Sequence, residues 1–166
     1  MTLIVPNEYN TTKNTSVKHL QEIEKAGLPV NWETMGYFGA LYEFHKTLQD
    51  KLEASGKGVQ GRHQRLGQDY VPGSPVAALR AALIREEANE CIEALASKPA
   101  HYCLKEICDL IYVAVGTAVQ FGWKLDGAFE TVHKNNMEKI EKGTIREDGK
   151  LQKPANWPNA NVKEFV

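Results

Sequence analysis

The stretch ALIREEANECIEAL, residues 82 to 95, places a carboxylate where a helix should be greasy. Glu87 has Leu83 and Cys91 one turn either side, Ile84 three residues back and Ala94 seven on. Glu90 stands three residues from Glu87, so the two acids are neighbours on one helical surface. The next helical segment repeats the offset with Glu106 and Asp109, and Glu106 is flanked by Tyr102, Cys103, Leu110 and Val113. Two consecutive helices therefore bring a pair of acids each to the face that should meet a neighbour. Burying an isolated carboxylate costs several kcal/mol, on the order of its desolvation penalty, and like charges one turn apart add repulsion.

Such a face demands a cation. A solvated surface is the ordinary explanation for a single helical Glu, but two pairs set into apolar stripes argue against it. Lysines and arginines on these faces read as few. Arg80 is placed to approach Glu87 within its own helix, yet one guanidinium cannot balance four carboxylates. A divalent ion can. Oxygen ligands without nearby His or Cys select a hard ion, Mg²⁺ with Mn²⁺ as its substitute. Di-iron bundles need Glu-x-x-His partners, which neither helix supplies. Hard ions held by carboxylates at open positions serve phosphate chemistry. Glu86 lies about 100° round the helix from Glu87, beside the site, where it is a candidate to orient or deprotonate water.

The rest of the chain reads as helices and punctuation. A short helix is expected over about Ser16 to Ala26, with Gly27 as the stop, and a longer one from about Trp32 to Ala54. Ser74 followed by Pro75 opens a helix running to about Ser97. Pro99 opens the next, ending near Gly122. Asp126 is expected to cap a last helix that closes at Gly143. These antiparallel elements predict an all-α helical bundle in a single domain, residues 1–166. It divides into an N-terminal helical extension (1–35), a bundle (36–143) with a mobile loop at 55–73, and an extended C-terminal arm (144–166) turning at Asp148-Gly149. Lys57, Arg62 and Arg65 in that loop are candidates for a lid gripping phosphate or base, with a disordered connector or an oligomer contact as the alternatives.

At 166 residues, 42% hydrophobic and 25% charged, the chain is expected to be a globular, soluble, cytoplasmic protein. Its net charge of −1 argues against duplex nucleic acid as a partner. The apolar run around Ile107 to Trp123 is interrupted by Asp109 and reads as a buried central helix, not a membrane span. Its apolar character predicts a homodimer or homotetramer. Cys91, Cys103 and Cys108 read as core thiols, and His45 as a core histidine. No G-x-x-x-x-G-K-[ST] motif is present, which excludes a P-loop.

The run Glu86-Glu87-Ala88-Asn89-Glu90, followed by Glu106-Ile107-Cys108-Asp109, resembles the MazG-like and phosphoribosyl-ATP pyrophosphohydrolase-like group of all-α nucleoside triphosphate pyrophosphatases. CDLIYVAVGTAVQFGW, AFETVHKNNMEKI and DGKLQKP continue the likeness, which covers roughly Val76 to Pro154. The resemblance implies cleavage of a nucleotide between its α and β phosphates, giving the monophosphate and pyrophosphate. It implies Glu87, Glu90, Glu106 and Asp109 as Mg²⁺ ligands and Glu86 as the water-activating acid. Asn136 and Lys139 match an N-x-x-K that touches phosphate, a role also sensible for an amide and a point cation three residues apart. His133 is a weaker candidate on the same side, and Lys150 and Lys153 are candidates to close over phosphates. Phosphoribosyl-ATP is the alternative substrate, and a non-catalytic metal-stabilised interaction module the alternative from another class.

Overall fold

The computed structural model describes residues 15–56 and 66–166. The proposed lid residues Lys57, Arg62 and Arg65, and the first fourteen residues, lie outside the described residues. Five α-helices carry the fold: α1 (Val17–Lys25), α2 (Trp32–Ala54), α3 (Pro75–Ser97), α4 (Ala100–Gln120) and α5 (Leu125–Lys142). A two-residue hairpin, β1 (Thr144–Ile145) with β2 (Leu151–Gln152), and a 3-10 turn at Lys163–Phe165 complete it. The chain is the all-α bundle its punctuation predicts. Among the described residues no helix is long and apolar enough to cross a membrane.

Local chemistry sets the helix ends. Ser74 Oγ accepts from the Ala77 amide at 3.2 Å and Pro75 fills the first helical position, where its missing N–H costs nothing. At the end of α4, Gly122 adopts φ +69°, so its own N–H reaches the Val119 carbonyl and that of Trp123 reaches Ala118. That is a Schellman closure, which a β-carbon at Gly122 would strain. Gly36, at φ +57°, kinks α2 near its start.

The described chain divides into two compact units. The first runs from Ser16 to Trp123 and holds α1 to α4; α3 and α2 both pack against α4. Its core includes Leu20, Ile23, Phe38, Leu41, Tyr42, Val76 and Val119. Gly116 makes the α2–α4 approach possible. A β-carbon there would stand 2.9 Å from His45 Nε2 and 3.0 Å from Arg80 Nη2. Burial on α4 is confined to its C-terminal half, at Gly116, Ala118, Val119 and Gln120; Leu104 is 62% exposed. The expected buried central helix is thus only half buried. Of the three expected core thiols, Cys91 is buried, Cys103 is intermediate and Cys108 is exposed.

The second unit holds Lys124 to Val166 with Thr15. The boundary falls before α5, so α5 groups with the tail and not with the bundle helices. Asp126, expected as the cap, sits one residue inside α5, and its buried Oδ2 has no hydrogen-bond partner. The tail is not a free arm. Trp157 Nε1 donates to Asn135 Oδ1 at 3.2 Å, Asn135 Nδ2 donates to the Pro158 carbonyl, and the Lys124 amide donates to the Phe165 carbonyl at 2.8 Å.

Candidate metal centre

Packing of α3 on α4 turns the two acidic spacings toward each other. Glu87 from α3 and Glu106 and Asp109 from α4 each offer a carboxylate oxygen, and these oxygens lie within 4.8 Å of one another. All three residues are partly buried, and the Glu106 side chain is only 14% exposed. Opposite oxygens around octahedral Mg²⁺ stand roughly 4.2 Å apart, twice the usual metal–oxygen distance. Adjacent oxygens around the same ion stand roughly 3 Å apart, so the three would have to draw closer together to bind one ion. The donor set is all oxygen and numbers three, which fits a hard ion that keeps several waters.

Electrostatics report the crowding. Burial holds the Glu87 carboxyl above its ordinary range, and the negative charges of Asp109 and Glu90 push the same way. Lys105 opposes them, and Glu86 adds to them. Glu90 therefore acts on the centre by its charge, but it is exposed and outside the converging three. Glu86 is exposed on the neighbouring line of α3.

Lys105 is the residue the spacing argument passed over. Its Nζ lies 2.6 Å from Asp109 Oδ2 and 3.1 Å from Glu106 Oε2. Hydrogen bonds to Asp109 and then Glu106 hold its ammonium pKa well above the ordinary lysine value. The signal was present: a lysine four residues before an aspartate on a helix is a favourable ion-pair spacing. Arg80, by contrast, does not approach Glu87. It is buried, its Nη2 donates to the Val113 carbonyl at 2.6 Å, and its Nε donates to Thr117 Oγ1 at 3.0 Å. It ties α3 to α4 and has no carboxylate partner among the described residues.

A groove lies along the same bundle. Ala40, Glu43, Phe44, Thr47, Leu48, Lys51 and Tyr112 line a cavity of about 540 Å³. Phe44 and Tyr112 meet edge to face at 5.5 Å, and both are at least 40% exposed. Tyr112 stands three residues beyond Asp109 on α4, an axial step of roughly 4.5 Å. His45 is half-buried with its Nε2 at the α2–α4 seam beside Gly116, so it is only in part the expected core histidine.

The remaining candidates belong to the second unit. On α5, Lys139 Nζ donates to Asn136 Oδ1 at 3.2 Å, and His133 and Asn136 are exposed. Lys150 and Lys153 are exposed on and after the hairpin.

Against known families, the model for phosphoribosyl-ATP pyrophosphohydrolase matches residues 41–136, more than half of the chain. The matched span includes all three converging acids. No curated protein matches the chain.

Proposed function

Since the chain belongs to the phosphoribosyl-ATP pyrophosphohydrolase family, within the MazG-like all-α NTP pyrophosphatases, we propose that it cleaves the α–β phosphoanhydride of a nucleoside triphosphate or deoxynucleoside triphosphate. The products are the monophosphate and pyrophosphate. The observation that carries this reading is the convergence of Glu87, Glu106 and Asp109 from successive helices. Three anionic oxygens with one nearby lysine make a site short of positive charge, and a triphosphate arrives with divalent cations.

Glu87, Glu106 and Asp109 would hold Mg²⁺, or Mn²⁺ in its place, with Glu90 contributing charge or closing onto the ion. When bound, such an ion neutralises phosphoryl oxygens and lowers the pKa of water. Glu86 stands beside these ligands and would accept the proton of the attacking water. No cysteine or serine nucleophile is required. The aromatic groove at Phe44 and Tyr112 would seat the base, because ring stacking is open to any nucleobase. Asn136 and Lys139, with His133, are proposed phosphate contacts on α5, as are Lys150 and Lys153 on the tail. The roles of Asn136 and Lys139 rest on the family resemblance, that of His133 on its sharing their side of the helix, and those of Lys150 and Lys153 on their charge in the tail.

Phosphoribosyl-ATP is the second reading, favoured by the family model itself. Incubation with each nucleoside triphosphate and with phosphoribosyl-ATP, in Mg²⁺, Mn²⁺ or chelator, with pyrophosphate detection, separates the two. Release from no nucleotide at all would leave a metal-stabilised interaction module. A homodimer or homotetramer is also proposed. Ile92 and Leu95 on α3 and Leu104 on α4 are each more than 60% exposed, a surface that a second copy would cover.

A further inference from the structure

We propose that Lys105 is a tethered counter-ion of the acidic centre, holding Glu106 and Asp109 until a divalent cation displaces it. The inference rests on the metal-centre reading above and adds a residue to it. Lys105 Nζ reaches Asp109 Oδ2 at 2.6 Å and both Glu106 oxygens at 3.1 and 3.3 Å. It therefore spans two of the three converging carboxylates, and it makes the only ion pair with them among the described residues.

The ammonium donates to the oxygens a cation would need. A carboxylate lone pair given to an N–H is not free for a metal, and two cations a few ångströms apart repel. Metal entry therefore competes with the Lys105 bonds and favours their release. The side chain permits this: it is 59% exposed, on a flexible four-carbon stem that can swing into water. Glu87 is not bonded by Lys105, so one face of the centre stays open while the other is neutralised. Two consequences follow. The acids stay together without metal, because part of their repulsion is offset. The displaced ammonium is left at the rim of the centre, where an anionic ligand brought by the metal would meet it.

The counter-ion role predicts a sign that a purely structural lysine would not give. Mn²⁺ affinity of the full chain is measured by electron paramagnetic resonance for the wild type, Lys105→Met and Lys105→Arg. Lys105→Met should bind Mn²⁺ about three- to tenfold more tightly, while its melting temperature in chelator falls. Lys105→Arg should stay near the wild type in affinity. Unchanged or weaker Mn²⁺ binding by Lys105→Met overturns the proposal. Should that variant not fold, the Lys105 ¹³Cε resonance of the wild type decides: it should shift on adding Mg²⁺, and a static resonance at saturation overturns the proposal. Absence of Mn²⁺ binding by both the wild type and Lys105→Met would overturn the metal centre as well. Wild-type binding with Lys105→Met unaffected would remove the counter-ion alone.

Discussion

Glu87 and Asp109 come from different helices, twenty-two residues apart in the chain, and hold carboxylate oxygens within 4.8 Å of each other. The pair is asymmetric. Asp109 has an ammonium at 2.6 Å, whereas Glu87 has no ion-pair partner among the described residues and its carboxyl is pushed up by burial and by Asp109.

That asymmetry separates two otherwise similar substitutions. Glu87→Gln and Asp109→Asn should each reduce pyrophosphate release by at least about a hundredfold, since even outer partners of metal ligands cost 10–100-fold when removed. In chelator, Glu87→Gln should melt higher than the wild type because it removes an uncompensated charge. Asp109→Asn should show no such gain, because it also removes the Lys105 ion pair. Scanning fluorimetry in chelator and a pyrophosphate assay in Mg²⁺ check both halves.

The Glu87 shift also sets a pH dependence. Its folded pKa is raised, so the stability it contributes is fully present below the ordinary carboxylate range and is lost as pH climbs through the folded value. The melting difference between Glu87→Gln and the wild type should be near zero at strongly acid pH. It should then grow and level off above the raised pKa. Saturating Mg²⁺ at neutral pH should lift the wild type by binding the native state only, about 2.7 kcal/mol at a hundred times Kd. Thermal melts in chelator and in Mg²⁺ across pH 3 to 8 give all three readings.

Asp126 follows the same sign, with burial as its whole cause and no neighbouring charge. Burial alone raises its carboxyl pKa, and its Oδ2 is buried without a partner. Asp126→Asn should therefore stabilise the protein at neutral pH and lose that advantage in acid. Paired melts at pH 7 and pH 3 test it.

Arg80 should behave as a strut. Arg80→Ala removes two donors and leaves the Val113 carbonyl and Thr117 hydroxyl short of them, so a loss of about 2–3 kcal/mol is expected. KM for the nucleotide should stay within about twofold of the wild type, the ordinary scatter when no ligand contact is lost. Urea unfolding with parallel kinetics checks the split.

Phe44→Ala is expected to do the reverse. Loss of a stacking ring should raise KM roughly tenfold, and stability should fall little, because Phe44 is 46% exposed. Inhibition by inorganic tripolyphosphate, which has no base, should not change.

What was legible in the sequence was local. Ser74 and Pro75 announce α3, Gly122 announces the end of α4, and the three-residue spacings of Glu87 with Glu90 and Glu106 with Asp109 announce the acidic faces. Each is a contact within a turn or two of chain. What was hidden depends on distance or on rotamers. Arg80 finds its partners 33 and 37 residues away, so no spacing rule could choose them over Glu87. Lys105 stands four residues before Asp109, a spacing that permits the pair, but its rotamer decides that it bends onto Glu106 as well. Asp126 looks like a cap because a carboxylate suits a helix start, yet α5 begins one residue earlier. The tail carries turn residues in plenty, but the Trp157–Asn135 bond that folds it back joins positions 22 residues apart.

Anomalous diffraction from a crystal grown with Mn²⁺ and a non-hydrolysable α,β-methylene nucleotide is the most direct measurement. An anomalous peak within coordination distance of Glu87, Glu106 and Asp109, with the α-phosphate beside it, is the predicted result. A map with saturating Mn²⁺ and clear nucleotide density but no peak among those three carboxylates would contradict the metal centre and the chemistry built on it.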